Sequence, residues 1–209
     1  MIKNIIFDIG GVLFSYRCKE MLMSYGLPDN EAEKVAALLF NDPLWAELDI
    51  AGRDREETIT TEYMEKYPDY AEATHWFFHH TEQMHVPRKN IWGLVHKIKQ
   101  QGYKMYLLSN YPETLFEIHT EDADFMKDMD GGVISYQIHD AKPNPAIYRH
   151  LLDKYSLNPE ECLYFDDLAQ NTKAAEEFGI RTITVISEEF LEKKLEEILQ
   201  SYSSNYPIR

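Results

Sequence analysis

The chain has 209 residues, of which 44% are hydrophobic and 13% aromatic, enough apolar side chain for one packed domain with an insertion. Acidic residues outnumber basic ones by 36 to 21, and the net charge of −15 repels nucleic-acid backbones and anionic membrane surfaces. We therefore expect neither nucleic acid nor a membrane as a partner.

Three sequence features bear on the compartment. The segment before the first predicted strand carries no basic leader, and no apolar run reaches the length of a membrane span. The two cysteines, Cys18 and Cys162, lie far apart in the sequence and form no CxxC pair. Such cysteine usage is typical of a reducing compartment, so we expect a cytoplasmic protein.

The chain opens on a predicted buried strand that ends in an acidic residue. Residues Ile2 to Phe7 are mostly apolar and β-prone, Asp8 follows them, and Gly10 and Gly11 allow the backbone to turn freely. In open parallel sheets, ligands bind beyond the carboxyl ends of the strands. Asp8 is therefore a candidate functional residue, although an Asp before a Gly also starts ordinary turns.

The sequence from residue 17 to residue 86 contains no convincing strand and predicts a helical insertion. The spacing of apolar residues and the flanking helix breakers predict helices over 29–40, 54–66 and 70–81, with a short segment over 44–48 between the first two. Asp54 and Glu57 have the spacing of a capping box at the start of the helix over 54–66. Met and aromatic side chains are frequent here, and we expect most of them to pack the helices together.

After residue 86, helices and strands alternate regularly. The predicted strands cover 103–110, 133–136, 162–167 and 182–186, and the predicted helices cover 87–101, a segment from 112, 146–155, 171–178 and 188–200. This alternation predicts an α/β fold with a doubly wound parallel sheet. We expect residues 1–16 and 87–209 to form this core, residues 17–86 to form a small helical cap, and residues 201–209 to be a frayed terminus.

Polar residues follow the predicted strands of this sheet. Asp8 follows the first strand, Ser109-Asn110 end the strand over 103–110, Lys142 lies in the loop before the strand over 162–167, and Asp166-Asp167 end that strand. Carboxylates from two strands can hold one Mg²⁺ ion through oxygen ligands. A Ser hydroxyl with backbone amides can bind phosphate, and an ammonium group can neutralise the anions. This combination favours phosphoryl transfer.

Four segments resemble, in order and spacing, the four motifs of the haloacid dehalogenase-like superfamily: FDIGGVL, LLSN, AKPNPAIY and YFDDLAQNTKAA. The helical insertion between the first two motifs is similar to the cap of the first subfamily. The chain most resembles small bacterial sugar-phosphate phosphatases, including those that hydrolyse glucose 1-phosphate, and the phosphatase domain of soluble epoxide hydrolases. The resemblance implies a Rossmann-like core and a magnesium-dependent hydrolase of small phosphorylated metabolites.

The resemblance also implies roles for single residues. Asp8 would attack phosphorus and form an aspartyl phosphate that water then hydrolyses. Lys142 would pair with both the nucleophile and the phosphate. The implied phosphate-binding residues are Ser109, Asn110, Gly10 and Gly11. The implied magnesium ligands are Asp8, the Gly10 carbonyl and one or both of Asp166 and Asp167, of which we favour Asp166.

One position departs from the family pattern. Most phosphatases of the family carry a second Asp two residues after the nucleophile, which protonates the leaving group and then activates water, and this chain has Gly10 there. Loss of such acid and base assistance typically lowers the rate by ~10² to 10⁴. The chain could be a phosphatase that uses an easily released leaving group, such as an anomeric phosphate, or an acid from the cap, and we favour this interpretation.

Two other interpretations remain open. A 2-haloacid dehalogenase needs no acid for its departing halide, but it also needs no magnesium, which leaves the Asp166-Asp167 pair without a purpose. A phosphate-binding or regulatory protein would need no acid at all. If the cap supplies an acid, the candidates are Glu47, Asp49 and Arg53, which flank Gly52 in a loop that resembles one facing the active site in related caps. Tyr16 and Arg17 are candidates for substrate contact, and hinges for cap closure are expected near residues 15–17 and 85–87.

Overall fold

The structure is a computed structural model that describes residues 1–205, with side chains described through residue 201. The strands are β1 (Asn4–Phe7), β2 (Phe14–Tyr16), β3 (His85–Pro87), β4 (Lys104–Ser109), β5 (Gly131–Ile134), β6 (Cys162–Asp166) and β7 (Arg181–Thr184). Five of them form one parallel sheet in the order β5-β4-β1-β6-β7. This sheet confirms the predicted α/β fold.

The α-helices surround this sheet and fill the insertion. They are α1 (Cys18–Tyr25), α2 (Asp29–Asn41), α3 (Pro43–Ile50), α4 (Arg53–Lys66), α5 (Ala71–Phe78), α6 (Lys89–Gln100), α7 (Glu113–Thr120), α8 (Ser135–Ile138), α9 (Pro145–Tyr155), α10 (Ala169–Glu176) and α11 (Glu188–Asn205). Within residues 1–205, none of them combines the length and the apolar composition that crossing a lipid bilayer requires.

The central strand β1 divides the core into two layers. Its side chains alternate, so Ile5 and Phe7 pack into one hydrophobic cluster with α6 and α11, whereas Ile6 packs into the other with α9 and α10. All three side chains are fully buried. A strand buried on both faces must be apolar throughout, which is why residues 5–7 carry no polar side chain.

The order of the strands positions the functional edge of the sheet. The chain runs outward from β1 through β4 to β5, and then returns to the other side of β1 with β6 and β7. The chain therefore reverses its direction across the sheet beside β1, where a crevice opens at the carboxyl ends of the strands. Asp8, the residue after β1, donates its backbone N–H to the Phe165 carbonyl of β6 at 2.9 Å. This bond places the end of β1 directly beside the end of β6.

Helices α1 to α5 lie between β2 and β3, and their buried apolar residues belong to the same hydrophobic cluster as Ile5 and Phe7. Leu39, Tyr63 and Phe77 are fully buried, and the Tyr63 hydroxyl donates a hydrogen bond to the Leu39 carbonyl at 2.8 Å. Met21 is also buried, whereas Met23 is 42% exposed. Most of these large apolar side chains thus pack the helices together, as expected from the sequence.

A two-stranded ribbon, which the sequence pattern did not predict, joins the insertion to the sheet. Strands β2 and β3 pair antiparallel, with Phe14 opposite Pro87 and Tyr16 opposite His85. The expected hinge segments therefore lie in a hydrogen-bonded ribbon. A strand of three residues is too short to show a periodic pattern, so its pairing emerges only in the tertiary structure.

Several predicted boundaries were wrong. Helix α1 was not predicted, and the predicted helix over 70–81 is a 3₁₀ turn at Pro68–Tyr70 followed by α5. The predicted capping box is absent, because α4 begins at Arg53 and the Glu113 carboxylate of the core accepts its first N–H at 3.0 Å.

The other boundary errors concern glycines and the end of the chain. Strand β5 begins at Gly131, earlier than expected, because Gly131 and Gly132 are paired residues of the sheet rather than a turn. A side chain on Gly132 would press on the backbone of Leu107 in β4. Helix α11 continues to Asn205, past the predicted end at residue 200 and into the expected frayed terminus. The rest of that terminus, 206–209, lies outside the described residues.

Candidate active site

A buried charged cluster occupies the crevice at the carboxyl edge of the sheet. It unites side chains from the ends of β1, β4 and β6 with a lysine from the loop before α9. The Ser109 hydroxyl donates to Asp8 Oδ1 at 2.6 Å. Lys142 Nζ lies 3.0 Å from Asp8 Oδ1 and 2.7 Å from Asp166 Oδ2. Four sequence-predicted site residues therefore form one connected hydrogen-bond network.

Lys142 is held rigidly in this network. Its side chain is 1% exposed, and Nζ donates a further bond to the Leu108 carbonyl at 2.9 Å. Burial alone would lower the pKa of Lys142, but the carboxylates of Asp166 and Asp8 raise it above its ordinary value. The Asn110 side chain bonds both backbone groups of Lys142, at 2.8 and 2.9 Å. The Asn110 side chain thus holds the backbone of Lys142 in place.

Both carboxylate oxygens of Asp166 are already engaged. Oδ1 accepts from the Leu168 N–H at 2.8 Å and from Asn171 Nδ2 at 3.0 Å. Oδ2 accepts from Lys142 Nζ and from the Tyr164 hydroxyl. Burial acts to raise the pKa of Asp166, but Lys142 and these hydrogen bonds lower it below its ordinary value. Asp166 is therefore a buried anion whose partners are protein groups.

Asp167 lies differently although it is the next residue. It is less buried than Asp166, and burial together with the neighbouring Asp166 carboxylate raises its pKa. Its carboxylate packs against Gly11, where φ is +68° and where an added Cβ would collide with Asp167. Gly11 is thus required by its backbone conformation and by the close approach of Asp167.

The cluster carries more negative than positive charge. One carboxylate oxygen from each of Asp8, Asp166 and Asp167 can be chosen so that all three lie within 4.8 Å of one another. Burial raises the pKa of Asp8 to about 7, Lys142 opposes this shift, and Asp166 and Asp167 add to it. Three carboxylates against one ammonium group are a suitable environment for a divalent cation with oxygen ligands.

The cap adds one carboxylate to the crevice. Asp49 lies near the end of α3, and its backbone carbonyl accepts a hydrogen bond from the Ser135 hydroxyl of α8, which docks this part of the cap onto the core. Burial raises the pKa of Asp49 to about 8, an effect that Lys142 opposes and Asp8 reinforces. Among residues 1–201, no side chain or backbone group donates a hydrogen bond to its carboxylate. Near pH 7, Asp49 is therefore an uncharged carboxyl group that faces the cluster and accepts no hydrogen bond from the described residues.

The other two cap candidates point elsewhere. Glu47 is 3.4 Å from Arg55, and Arg53 pairs with Glu117 on α7. These side chains are about half exposed. Only Asp49 of the three cap candidates interacts electrostatically with the buried cluster.

The two candidates for substrate contact, Tyr16 and Arg17, also differ in position. The Tyr16 hydroxyl lies directly beside Gly10. Arg17 instead bonds the Gln83 carbonyl through Nε at 2.6 Å, on the cap side of the ribbon. Tyr16 therefore lines the crevice, whereas Arg17 is engaged at the base of the cap.

Sequence reasoning missed three supporting residues. Tyr164 and Asn171 donate to Asp166, and Arg88 Nη1 donates to the carbonyls of residues 11 and 12, which fixes the loop after Asp8. Tyr164 lies two residues before Asp166, so strand alternation puts it on the same face. Arg88 carries no comparable signal, because its partners are distant in the sequence.

Comparison with known proteins relates the chain to a family of hydrolases. A family model for haloacid dehalogenase-like hydrolases matches residues 2–179. D-ribitol-5-phosphate phosphatase of Bacteroides thetaiotaomicron is 26% identical over 207 residues, which cover 87% of this chain and 91% of that protein. Three mammalian proteins match over 28–35% of this chain, and the chain spans only 5–13% of their lengths.

Two solved structures share the fold. A predicted hydrolase of the same family from Porphyromonas gingivalis superposes with a TM-score of 0.72 at 24% identity, covering 96% of this chain and 98% of that one. An enzyme of the family from B. thetaiotaomicron, solved in complex with magnesium and inorganic phosphate, superposes with a TM-score of 0.64 at 26% identity, covering 88% and 94% of the two chains.

Proposed function

The chain belongs to the haloacid dehalogenase-like hydrolase family, and on this basis we propose that it is a magnesium-dependent phosphatase of small phosphorylated metabolites, sugar and sugar-alcohol phosphates in particular. The observation that carries the proposal is the network of Asp8, Ser109 and Lys142 beside the Asp167 carboxylate. The similarity to a ribitol-phosphate phosphatase supports the substrate class, and the magnesium and phosphate in a structural neighbour support the cofactor.

Asp8 is the proposed nucleophile. Its Oδ1 accepts hydrogen bonds from the Ile9 N–H at 2.7 Å and from the Ser109 hydroxyl and forms an ion pair with Lys142 Nζ, so its carboxylate is held in one orientation. A carboxylate oxygen bonds to phosphorus as the bond to the leaving oxygen breaks. Water then attacks phosphorus, inorganic phosphate leaves and the Asp8 carboxylate is regenerated.

Lys142, Ser109 and Asn110 are the proposed phosphate site. The ammonium group of Lys142 neutralises charge on the transferring phosphoryl group, and its burial strengthens this attraction. The Ser109 hydroxyl and the backbone amides of Asn110 and of the Gly10–Gly11 loop are proposed donors to phosphate oxygens. The Asn110 side chain keeps the lysine in position through its two backbone bonds.

Asp8, the Gly10 carbonyl and Asp167 are the proposed magnesium ligands. The sequence favoured Asp166, but all the oxygens of Asp166 accept hydrogen bonds from protein donors, whereas the Asp167 carboxylate is more exposed. Burial, and after it the neighbouring carboxylates, raise the pKa values of Asp8 and Asp167, and a bound dication would favour their charged forms. When bound, Mg²⁺ supplies charge neutralisation to the phosphoryl group.

We expect substitutions of the two adjacent aspartates to have different effects on activity. Asp167→Asn should raise the magnesium concentration needed for half-maximal activity by roughly 10- to 100-fold or more, because a ligand is lost. Asp166→Asn should lower kcat with less change in the magnesium dependence, because it releases Lys142. Magnesium titrations of phosphate release measure both. An unchanged magnesium requirement in Asp167→Asn would contradict the assignment.

Asp49 is the proposed proton donor to the leaving group. It is the cap carboxyl that interacts with Asp8 and Lys142, and it can replace the acid that the family carries at the position of Gly10. Donation to the leaving oxygen matters most for sugar alkoxides, which leave poorly without a proton, and least for p-nitrophenolate. The substrate preference should therefore reveal the donor.

Asp49→Asn is expected to lower kcat on a sugar 5-phosphate by ~10²-fold or more and to change p-nitrophenyl phosphate hydrolysis little. Since the acid must be protonated, wild-type activity on the sugar phosphate should fall as the pH rises through about 8, and the variant should lack this dependence. Glu47→Gln is the matched control, since Glu47 is exposed and pairs with Arg55. Equal losses on both substrates would contradict the role.

The proposed function is tested by phosphate release from a panel of primary and anomeric sugar phosphates and p-nitrophenyl phosphate, with Mg²⁺ or EDTA. We expect magnesium-dependent turnover of at least one sugar phosphate. Halide release from 2-haloacids that is unaffected by EDTA, without phosphate release, would support the dehalogenase interpretation instead.

A further inference from the structure

The position that lacks the family's second Asp is filled by another side chain. An ideal Cβ added to Gly10 would lie 2.7 Å from Tyr16 Oη and 2.9 Å from Tyr16 Cε2. Gly10 has no positive φ, so its backbone conformation alone would accept a side chain. The Tyr16 ring is what excludes one, and its hydroxyl occupies the place where the missing side chain would begin.

The Tyr16 hydroxyl leads into a buried chain of hydrogen bonds. Burial, and after it interaction and hydrogen bonding with the adjacent Tyr111 side chain, raise the pKa of Tyr16, and the Tyr111 hydroxyl lies 2.7 Å from His119 Nδ1. His119 Nε2 lies 2.7 Å from the Thr81 carbonyl. A carbonyl can only accept, so Nε2 carries the proton, Nδ1 accepts from Tyr111, and Tyr111 accepts from Tyr16. Every proton in the chain points away from the crevice.

Solvent exposure decreases from Tyr16 to Tyr111 and His119. Tyr16 is 38% exposed, whereas Tyr111 and His119 are each 2% exposed. Burial lowers the pKa of His119 to about 4, so this imidazole is a neutral acceptor near neutrality. Its basicity is then close to that of an ordinary Asp side chain, with a pKa of about 3.9, the residue type that this chain lacks at position 10.

We propose that Tyr16 replaces the missing general base in the second half of the reaction and passes the proton of the attacking water through Tyr111 to His119. This inference rests on the proposed phosphatase function. Asp49 acts in the first half, at the leaving group, and Tyr16 acts in the second half, on water. The two roles that one Asp fills in most relatives are thus divided between the cap and the ribbon.

The water oxygen bonds to phosphorus while the bond from phosphorus to the Asp8 oxygen breaks, and its electron pair returns to the Asp8 carboxylate. One water proton moves to Tyr16 Oη, the Tyr16 proton moves to Tyr111 Oη, and the Tyr111 proton moves to His119 Nδ1. After phosphate leaves, the imidazolium proton returns along the same path to Tyr16 Oη and passes through water in the crevice to the Asp49 carboxylate, which restores the proton that Asp49 donated.

Rapid mixing with p-nitrophenyl phosphate isolates this step, because its leaving group needs no acid. In Tyr16→Phe we expect a burst of p-nitrophenolate that approaches one per enzyme molecule, followed by turnover slowed by ~10² or more. Tyr111→Phe should show the same pattern to a smaller extent. Tyr25→Phe, which removes the hydroxyl of an equally exposed tyrosine in the cap, should behave as wild type.

A reciprocal exchange tests the position itself. Gly10→Asp alone should lose activity because its side chain collides with Tyr16, and Gly10→Asp combined with Tyr16→Ala should recover hydrolysis of the phosphoenzyme relative to Tyr16→Ala. A Tyr16→Phe variant that shows wild-type turnover without a burst would overturn the role of Tyr16. Absence of both phosphate release and phosphoenzyme in the wild type would instead overturn the proposed function, and the role of Tyr16 with it.

Discussion

Replacement of Asp8 by Asn should abolish phosphate release, with a loss of at least ~10⁴-fold in kcat, because the nucleophile itself is removed. The fold should not suffer. The pKa of Asp8 is raised from 3.8 to about 7 in the folded protein, so the stability that its proton contributes is lost as the pH rises through this range. Near neutrality and without magnesium, an uncharged Asn should therefore leave the melting temperature equal or higher.

Activity and thermal unfolding of the Asp8→Asn variant, each with EDTA and with Mg²⁺, measure this prediction. Asp153→Asn on the exposed face of α9 is the matched control and should keep full activity. Retained turnover in Asp8→Asn would exclude Asp8 as the nucleophile. A large loss of stability would mean that its carboxylate holds the loop in place rather than serving the reaction.

Lys142→Met should both inactivate the protein and destabilise it. The side chain pairs with Asp8 and Asp166 and is almost fully buried, so its removal leaves buried carboxylates without a cation. Breaking a buried ion pair in this way typically lowers the free energy of unfolding by about 3–5 kcal/mol. The loss should be largest in EDTA, since bound Mg²⁺ partly replaces the missing charge.

Urea unfolding of Lys142→Met in EDTA and in Mg²⁺ tests this expectation. Lys127→Met removes an exposed lysine that pairs with the neighbouring Asp124 and should have little effect. Adding Asp166→Asn to Lys142→Met should recover part of the stability, because one of the two unpaired carboxylates is then neutral. Equal stability of Lys142→Met and wild type would show that the buried carboxylates are already neutralised by protons.

The sequence predicts the catalytic edge because its residues follow strands. Asp8, Ser109 and Asp166 end three neighbouring parallel strands, and the geometry of such a sheet brings these positions together whatever the intervening chain does. Lys142 was recognisable from a motif in register with the other three. These residues could therefore be named before any contact was known.

What the sequence could not provide depends on contacts between distant segments. Tyr16 reaches the space above Gly10 only because β2 pairs with β3, and three-residue strands leave no pattern. The choice between Asp166 and Asp167 depends on which carboxylate is already saturated with hydrogen bonds. The start of α4 is set by Glu113 of the core, which no local capping rule identifies.

The most direct test of the proposed mechanism is detection of the covalent intermediate. Wild-type protein mixed with Mg²⁺ and p-nitrophenyl phosphate, quenched in acid and digested, should carry a phosphoryl group on Asp8 in a fraction of its molecules, and this fraction should be larger in Tyr16→Phe. Steady release of phosphate with no modified Asp8, or with the phosphoryl group on another residue, would contradict the mechanism.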